Sequence, residues 1–374
     1  MFPTAHLIGK PMEEIDTPAL IVRREILQAN IDRLQAAADA AGLQVRPHIK
    51  AHKTAQIAQM QVRAGAVGVT AAKIGEAEAM ADAGIEDIFI ANQLVGPIKL
   101  RRLVALARRV PKLSTAVDSL PCVQGLSEAF SAAGMDIDVL IEVDGGAGRC
   151  GVLPDSLLPL AQQVAELPGL RLVGIMAYAA RTYQARGLEE QARAAAEEAA
   201  FCAQQADRLR NAGFDITRVS GGSTPVGLHY KEGCGLTEIR SGTYCLYDHN
   251  QIDLGTVSAD RVAATILTHV ISVPSAQRAI VDAGTKSLGQ QVSNLTEGYG
   301  WTRGTSRLQV YKINDEHGYV DIGGLEAKPE LGDRFEVIPP RICTALNLYD
   351  YMYILDDSDT VADVWKIGAR GRNV

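Results

Sequence analysis

The chain has 374 residues, 47% of them hydrophobic and 22% charged, a globular composition that excludes a disordered protein. Its net charge of −7 argues against nucleic acid or an anionic membrane as the main partner. Six cysteines with no Cys-x-x-Cys pair exclude a zinc ribbon and a disulfide scaffold, leaving reduced thiols in a cytosolic protein as the plain expectation. The length suits two or three domains of about 150 residues, or one barrel of about 250 with an appendage. No signal-peptide segment opens the chain and no apolar run reaches about 18 residues, so a cytoplasmic protein without membrane contact is expected.

In chain order, a short strand at 17–22 (TPALIV) comes first and is available to pair with the C-terminal region. One unit then repeats: a short apolar β-rich run, a turn and an Ala/Leu/Glu-rich helix. The expected strands are 43–48, 66–70, 87–91, 113–118, 137–143, 171–177, 216–220 and 239–244, with Gly42, Gly65, Gly84 and Gly213 stopping helices between them. Near-continuous apolar strands alternating with helices mean a parallel sheet buried on both faces. Eight such units predict an α/β fold, a (β/α)8 TIM-like barrel spanning 24–252. Beyond about residue 255 short strands replace this rhythm, at 261–272, 278–282, 307–313, 333–338, 351–355 and 362–366. They predict a C-terminal β domain made of 253–374 together with 1–23. The basic run Arg101, Arg102, Arg108, Arg109 and Lys112 reads as the solvated face of an amphipathic helix.

Barrel enzymes place their chemistry at the C-terminal ends of the strands. There stand Arg46-Pro47-His48-Ile49-Lys50, then Glu142 to Gly151 with Arg149, then Tyr178, then Ser220-Gly221-Gly222-Ser223-Thr224. Glycines let backbone N–H groups approach an anion, and loops after late strands often bind phosphate in this fold; a plain tight turn is the alternative. Lys50 is the candidate nucleophile. Burial beside Arg46, Lys53 and Arg149 would lower its pKa and free the amine. Strand alternation puts His48 and Lys50 on one face and favours Lys50 over its rival Lys53. A lysine that merely ends a strand is the alternative. Nucleophilic lysine, phosphate loop and arginine together make a pyridoxal phosphate (PLP) constellation.

The strings RPHIKAHKT, GVTAAKIGEAE, EVDGGAGRCGV, VSGGSTP, TEIRSGTYCLYD, VDAGTKSL and VWKIGARGR resemble the D-threonine aldolase/D-serine dehydratase family. The resemblance implies an alanine-racemase-like PLP barrel with a C-terminal β domain, generally as a homodimer. It further implies that Lys50 is the Schiff-base lysine and that Arg149 faces the pyridine nitrogen. Tyr178 is implied to lie beside the cofactor, with Gly222, Ser223 and Thr224 holding its phosphate. An arginine cannot give up its proton, so such a ring stays unprotonated and is a weaker electron sink.

Two departures stand out. The family commonly carries a His-x-Cys or His-x-Asp pair that holds a divalent metal beside the substrate hydroxyl. Here Cys343 is kept, but Arg341 stands at the histidine position, and arginine has no lone pair for a metal. The usual metal site is therefore expected to be lost or weakened. In an extended segment Arg341 and Cys343 would share a face, and Arg341 would polarise a hydroxyl or grip a carboxylate; an outward-facing arginine is the alternative. His317 is either a neighbour of that pocket or a turn histidine. The second departure is Ala179-Ala180-Arg181 after Tyr178, where the family often has a polar residue and a glycine.

The expected activity is a PLP-dependent lyase on a D-configured β-hydroxy amino acid, first as a retro-aldol cleavage, with Lys50, His317 and Arg341 as the catalytic candidates. A dehydratase giving a 2-oxo acid and a metal-independent racemase are the alternatives. A non-catalytic PLP carrier is the alternative from another class, and the second domain argues against it.

Overall fold

The computed structural model describes residues 4–290, 295, 297–304 and 307–374. In chain order its elements are β1 (Ala19–Arg23), α1 (Arg24–Ala40), β2 (Gln44–Val45), α2 (Ala55–Arg63), β3 (Val69–Ala71), α3 (Ile74–Asp82), β4 (Asp87–Ile90), α4 (Pro97–Ala107), β5 (Lys112–Val117) and α5 (Leu120–Ala132). Then follow β6 (Ile137–Val143), α6 (Pro154–Glu166), β7 (Leu170–Ala177), α7 (Gly187–Asn211), β8 (Arg218–Gly221), β9 (Glu238–Ile239) and α8 (His249–Asp253). The remainder is β10 (Ala264–Ser275), β11 (Arg278–Val281), α9 (Thr285–Leu288), β12 (Trp301–Thr302), β13 (Val310–Ile313), β14 (Gly318–Asp321), β15 (Arg334–Ile338), α10 (Ile342–Leu346), β16 (Tyr351–Leu355) and β17 (Val361–Lys366).

Two compact units divide the chain. The first holds Asp32–Lys50, Ala55–Gly242 and Arg372–Val374; the second holds Met1–Ile31, Ala51–Thr54 and Thr243–Gly371. The early turns of α1 belong to the second because Asn30 donates to the carbonyls of Cys245 (3.1 Å) and Arg261 (2.8 Å).

The first unit is a parallel sheet in the order β2-β9-β8-β7-β6-β5-β4-β3. It closes on itself: Val67 N–H donates to Val45 O at 3.0 Å and Thr70 N–H to Pro47 O at 2.8 Å. Closure removes the sheet edges and leaves an interior that side chains must fill. Phe89, Ala116, Leu140 and Met176 fill part of it. Each expected barrel strand is present. The expected strand 239–244 stops at Ile239. Beyond it the chain bends at Gly242, where a Cβ would lie 2.9 Å from His48 O, so only glycine fits that approach. At the other end of the barrel a buried ion network joins Glu238 to Arg46 (2.9 Å) and Arg218 (3.1 Å). The basic run behaves as expected of a solvated face: Arg101 and Arg108 are exposed, and Arg102 pairs with Glu78 at 2.7 Å.

The second unit is built on a sheet in the order β13-β14-β11-β10-β1-β16-β17, with β15 on β10 and β12 on β15. The expected strand near the N-terminus does pair with the C-terminal strands: β1 runs antiparallel to β10 and parallel to β16. Ile15, Ala19, Ile21, Leu267, Leu355, Val361 and Val364 form a core beneath it. Strands β12 and β14 were not expected. The first is two residues long, and the second follows the charged turn Asp315-Glu316-His317, which masks its alternation. Among the described residues the only helices here beyond residue 255 are single turns.

Candidate active site

At the end of β2 the chain leaves the strand after Val45, touches Thr70 once more through a parallel bridge at His48, and enters a 3-10 turn over Ile49–Ala51. Lys50 lies in this turn and is exposed. Two expectations are corrected. Alternation does not set the direction of Lys50, because a 3-10 turn of about three residues per turn has replaced the strand. The expected burial among cations is also absent. Arg46 is committed to Asp87 and Glu238, and the Lys53 amine donates to Asn347 Oδ1 at 2.8 Å.

After β6 the chain turns on Asp144, whose Oδ1 accepts N–H groups of Gly146 (2.9 Å), Ala147 (2.9 Å) and Gly148 (3.2 Å). Gly146 and Gly148 take positive φ, 89° and 59°, which glycine alone adopts freely. This turn presents Arg149, whose guanidinium lies 5.1 Å from the Tyr178 ring centroid at the end of β7. The structure thus brings together two residues that the sequence could only place at neighbouring strand ends. Behind them Glu142 accepts a hydrogen bond from Gln93 at 2.5 Å. Burial holds its carboxyl above the usual carboxylate range, opposed by Gln93 and by the Arg149 charge.

After β8 the chain passes through Gly222 at φ 84°, where a Cβ would sit 2.9 Å from the Ile239 side chain. Ser223 and Thr224 follow, both buried. Ser223 Oγ donates to Thr182 Oγ1 at 2.8 Å, and Ser241 Oγ donates to Ser223 O at 3.0 Å. Buried hydroxyls on a glycine-opened turn at the ends of barrel strands suit a phosphate.

Sequence reasoning missed Arg240. It follows β9, is buried, and donates to Ser220 Oγ at 2.5 Å and Ala177 O at 2.9 Å. Burial lowers its pKa while Glu238, Glu198 and Glu142 raise it. The signal was present in TEIRSG: an arginine within an apolar strand must find buried partners.

In the second unit Arg341 immediately precedes α10, and Cys343 lies in the first turn of that helix. The expected extended segment is corrected in part: Arg341 is extended, but Ile342 begins a helix, its N–H accepted by buried Asp248 Oδ2 at 3.1 Å. Burial pushes the Asp248 carboxyl up to about 6 against the pull of Arg341 and its N–H donors. The Cys343 thiol lies 3.6 Å from the Thr243 hydroxyl. His317 is exposed in the β13–β14 turn, where its carbonyl accepts the Asn314 N–H at 2.8 Å. Among the described residues no group of three or more His, Cys, Asp or Glu side chains could hold a metal.

A closed parallel barrel with a lysine at one strand end and a glycine-opened hydroxyl loop at another defines an alanine-racemase-like enzyme. The family model for the alanine racemase N-terminal domain matches residues 22–249, and one for a serine dehydratase domain matches 263–355. The chain is 37% identical to a D-threonine aldolase of Arthrobacter sp., covering 97% of this chain and 95% of the relative. The crystal structure of D-threonine aldolase from Filomicrobium marinum superposes with a TM-score of 0.90 at 31% identity, covering 98% of this chain and 99% of that one. A D-threo-3-hydroxyaspartate dehydratase, solved as a cysteine-to-alanine mutant in the metal-free form, gives a TM-score of 0.90 at 30% identity, covering 96% and 98%. The chain belongs to the D-threonine aldolase/D-serine dehydratase family of PLP-dependent lyases, and it is a lyase.

Proposed function

We propose that this lyase cleaves a D-configured β-hydroxy amino acid of the D-threonine type to glycine and an aldehyde, working as a homodimer in the cytoplasm. The observation that carries the reading is the buried Gly222–Thr224 loop in the same barrel that presents Lys50. The likeness to D-threonine aldolase over 97% of the chain supports the reaction. Residues 24–252 form the cofactor-binding domain in this reading, and 1–23 with 253–374 the second.

The residues present fit PLP. Lys50 supplies an exposed amine, and Gly222 leaves room that a Cβ would fill. When bound, PLP supplies the electron sink that stabilises charge at the substrate α carbon. Ser223 and Thr224 would hold its phosphate, and Arg149 and Tyr178 would contact its ring. The residues do not fit a divalent metal at the family position: Arg341 offers no lone pair, and Cys343 is a single donor. Arg341 instead supplies a fixed positive charge for the substrate's hydroxyl or carboxylate. The exposed turn position of His317 favours the alternative in which it has no part in the chemistry.

Elimination is the second reading, favoured by the serine dehydratase domain match over 263–355. Product analysis over D-threonine, D-serine and 3-hydroxy-D-aspartate, with and without a chelator, tests both. Glycine plus an aldehyde is expected. A 2-oxo acid plus ammonia would establish elimination, and an L-amino acid would establish a racemase.

A further inference from the structure

Behind the Gly222–Thr224 loop lies the carboxylate of Glu198 on α7, only 2% exposed. One oxygen accepts the Tyr230 hydroxyl at 2.5 Å. The other accepts the N–H of Ala179, the residue after Tyr178, at 3.3 Å. Two separate stretches of chain, around Tyr230 and after β7, thus end on one side chain. A hydroxyl relay ties the stretch after β7 to the Gly222–Thr224 loop. Ser223 Oγ donates to Thr182 Oγ1 at 2.8 Å, and Thr182 Oγ1 donates to Ala179 O at 2.8 Å.

This is an expensive way to fill a helix–barrel contact. A buried carboxylate costs free energy that a leucine of similar volume would not. Its donors offset that cost, as does the charge of buried Arg240. What the carboxylate gives in return is direction. The buried acceptor fixes the Ala179 N–H, and the Ala179 carbonyl in turn accepts the Thr182 hydroxyl that meets Ser223.

We propose that Glu198 is a positioning residue that fixes the Ala179–Thr182 turn and, through the Thr182 hydroxyl, the Ser223 side chain, and so sets the affinity for the phosphate of the cofactor. The inference rests on the reading of Gly222–Thr224 as the phosphate loop. It gives α7, which carries none of the expected site residues, a role in that site.

The test compares PLP with pyridoxal, which lacks the phosphate, on the full chain cleared of cofactor, by titrating visible absorbance. The wild type is expected to prefer PLP strongly. Glu198→Leu is expected to cut that preference about tenfold, the scale of one lost charge-assisted hydrogen bond, with pyridoxal affinity unchanged within about twofold. Glu198→Gln is expected to rescue most of it, because its amide oxygen still accepts the Ala179 N–H and its NH2 can face the Tyr230 oxygen. Should Glu198→Leu not fold, as judged by circular dichroism, Tyr230→Phe and Thr182→Val take its place, each expected to cut the preference about threefold. An unchanged preference in the folded variants, or an equal loss in Glu198→Gln and Glu198→Leu, overturns the proposal. A wild type with no preference for PLP overturns the phosphate-loop reading instead.

Discussion

The Ser223 hydroxyl donates to the Thr182 hydroxyl at 2.8 Å, joining the loop after one barrel strand to the segment after its neighbour. Ser223→Ala leaves the Thr182 oxygen buried without that donor. The expected costs are about 1–3 kcal/mol of stability and weaker PLP binding. Urea unfolding and cofactor titration read the two effects, and wild-type values in both would contradict the assigned role.

Lys50 is the amine on which the proposed reaction depends. Lys50→Ala is expected to remove the visible absorbance of the lysine-linked cofactor and reduce the rate at least about a thousandfold, by loss of the nucleophile. Full activity with unchanged absorbance would transfer the role elsewhere, Lys53 being the first alternative.

Arg341 stands where a metal-binding histidine is expected. Activity should therefore survive a chelator. Arg341→His should create measurable Mn²⁺ binding together with Cys343, read by calorimetric titration. Strict metal dependence of the wild type, or an Arg341→His variant that binds no Mn²⁺, would count against the match of positions.

Glu238 is buried between Arg46 and Arg218. Burial opposes its charge, but those guanidiniums and the Ser220 hydroxyl outweigh it and hold the carboxyl down at about 2. Its folded pKa therefore lies below the unfolded value near 4.5. The stability it contributes is present above pH 4.5 and is lost as pH falls toward 2. Glu238→Gln should cost about 3–5 kcal/mol at neutral pH by stranding the two arginines, and should flatten the acid limb of the unfolding profile. An unchanged acid limb would show that the pairs do not carry the effect.

The thiols should separate by reactivity. Burial pushes Cys122 up to about 11 and Cys245 up to about 12, and Cys202 is also raised by burial. Cys150 is exposed. Native protein should therefore release its first equivalent from Cys150 with a thiol reagent, while Cys122, Cys202 and Cys245 react only on unfolding. Protection of Cys150 in the native protein would contradict this exposure.

The sequence by itself determined the repeating strand–helix order, the change of texture near residue 255, and the strand ends where polar chemistry gathers. These features are local: apolar runs, glycine stops and periodicity are written in neighbouring residues. Through the family resemblance it also exposed the Arg341 departure, because residue type alone decides that an arginine cannot fill a metal-ligand position. Only the tertiary structure decided that Lys50 leaves the strand in a 3-10 turn and that Arg341 precedes a helix. Those outcomes follow from partners far away in sequence, Thr70 for His48 and Asp248 for Ile342. The stacking of Arg149 on Tyr178 and the burial of Arg240 and Glu198 were likewise beyond sequence reading. Each is a charge whose place is set by the barrel closing around it, and closure is a property of all eight strands together.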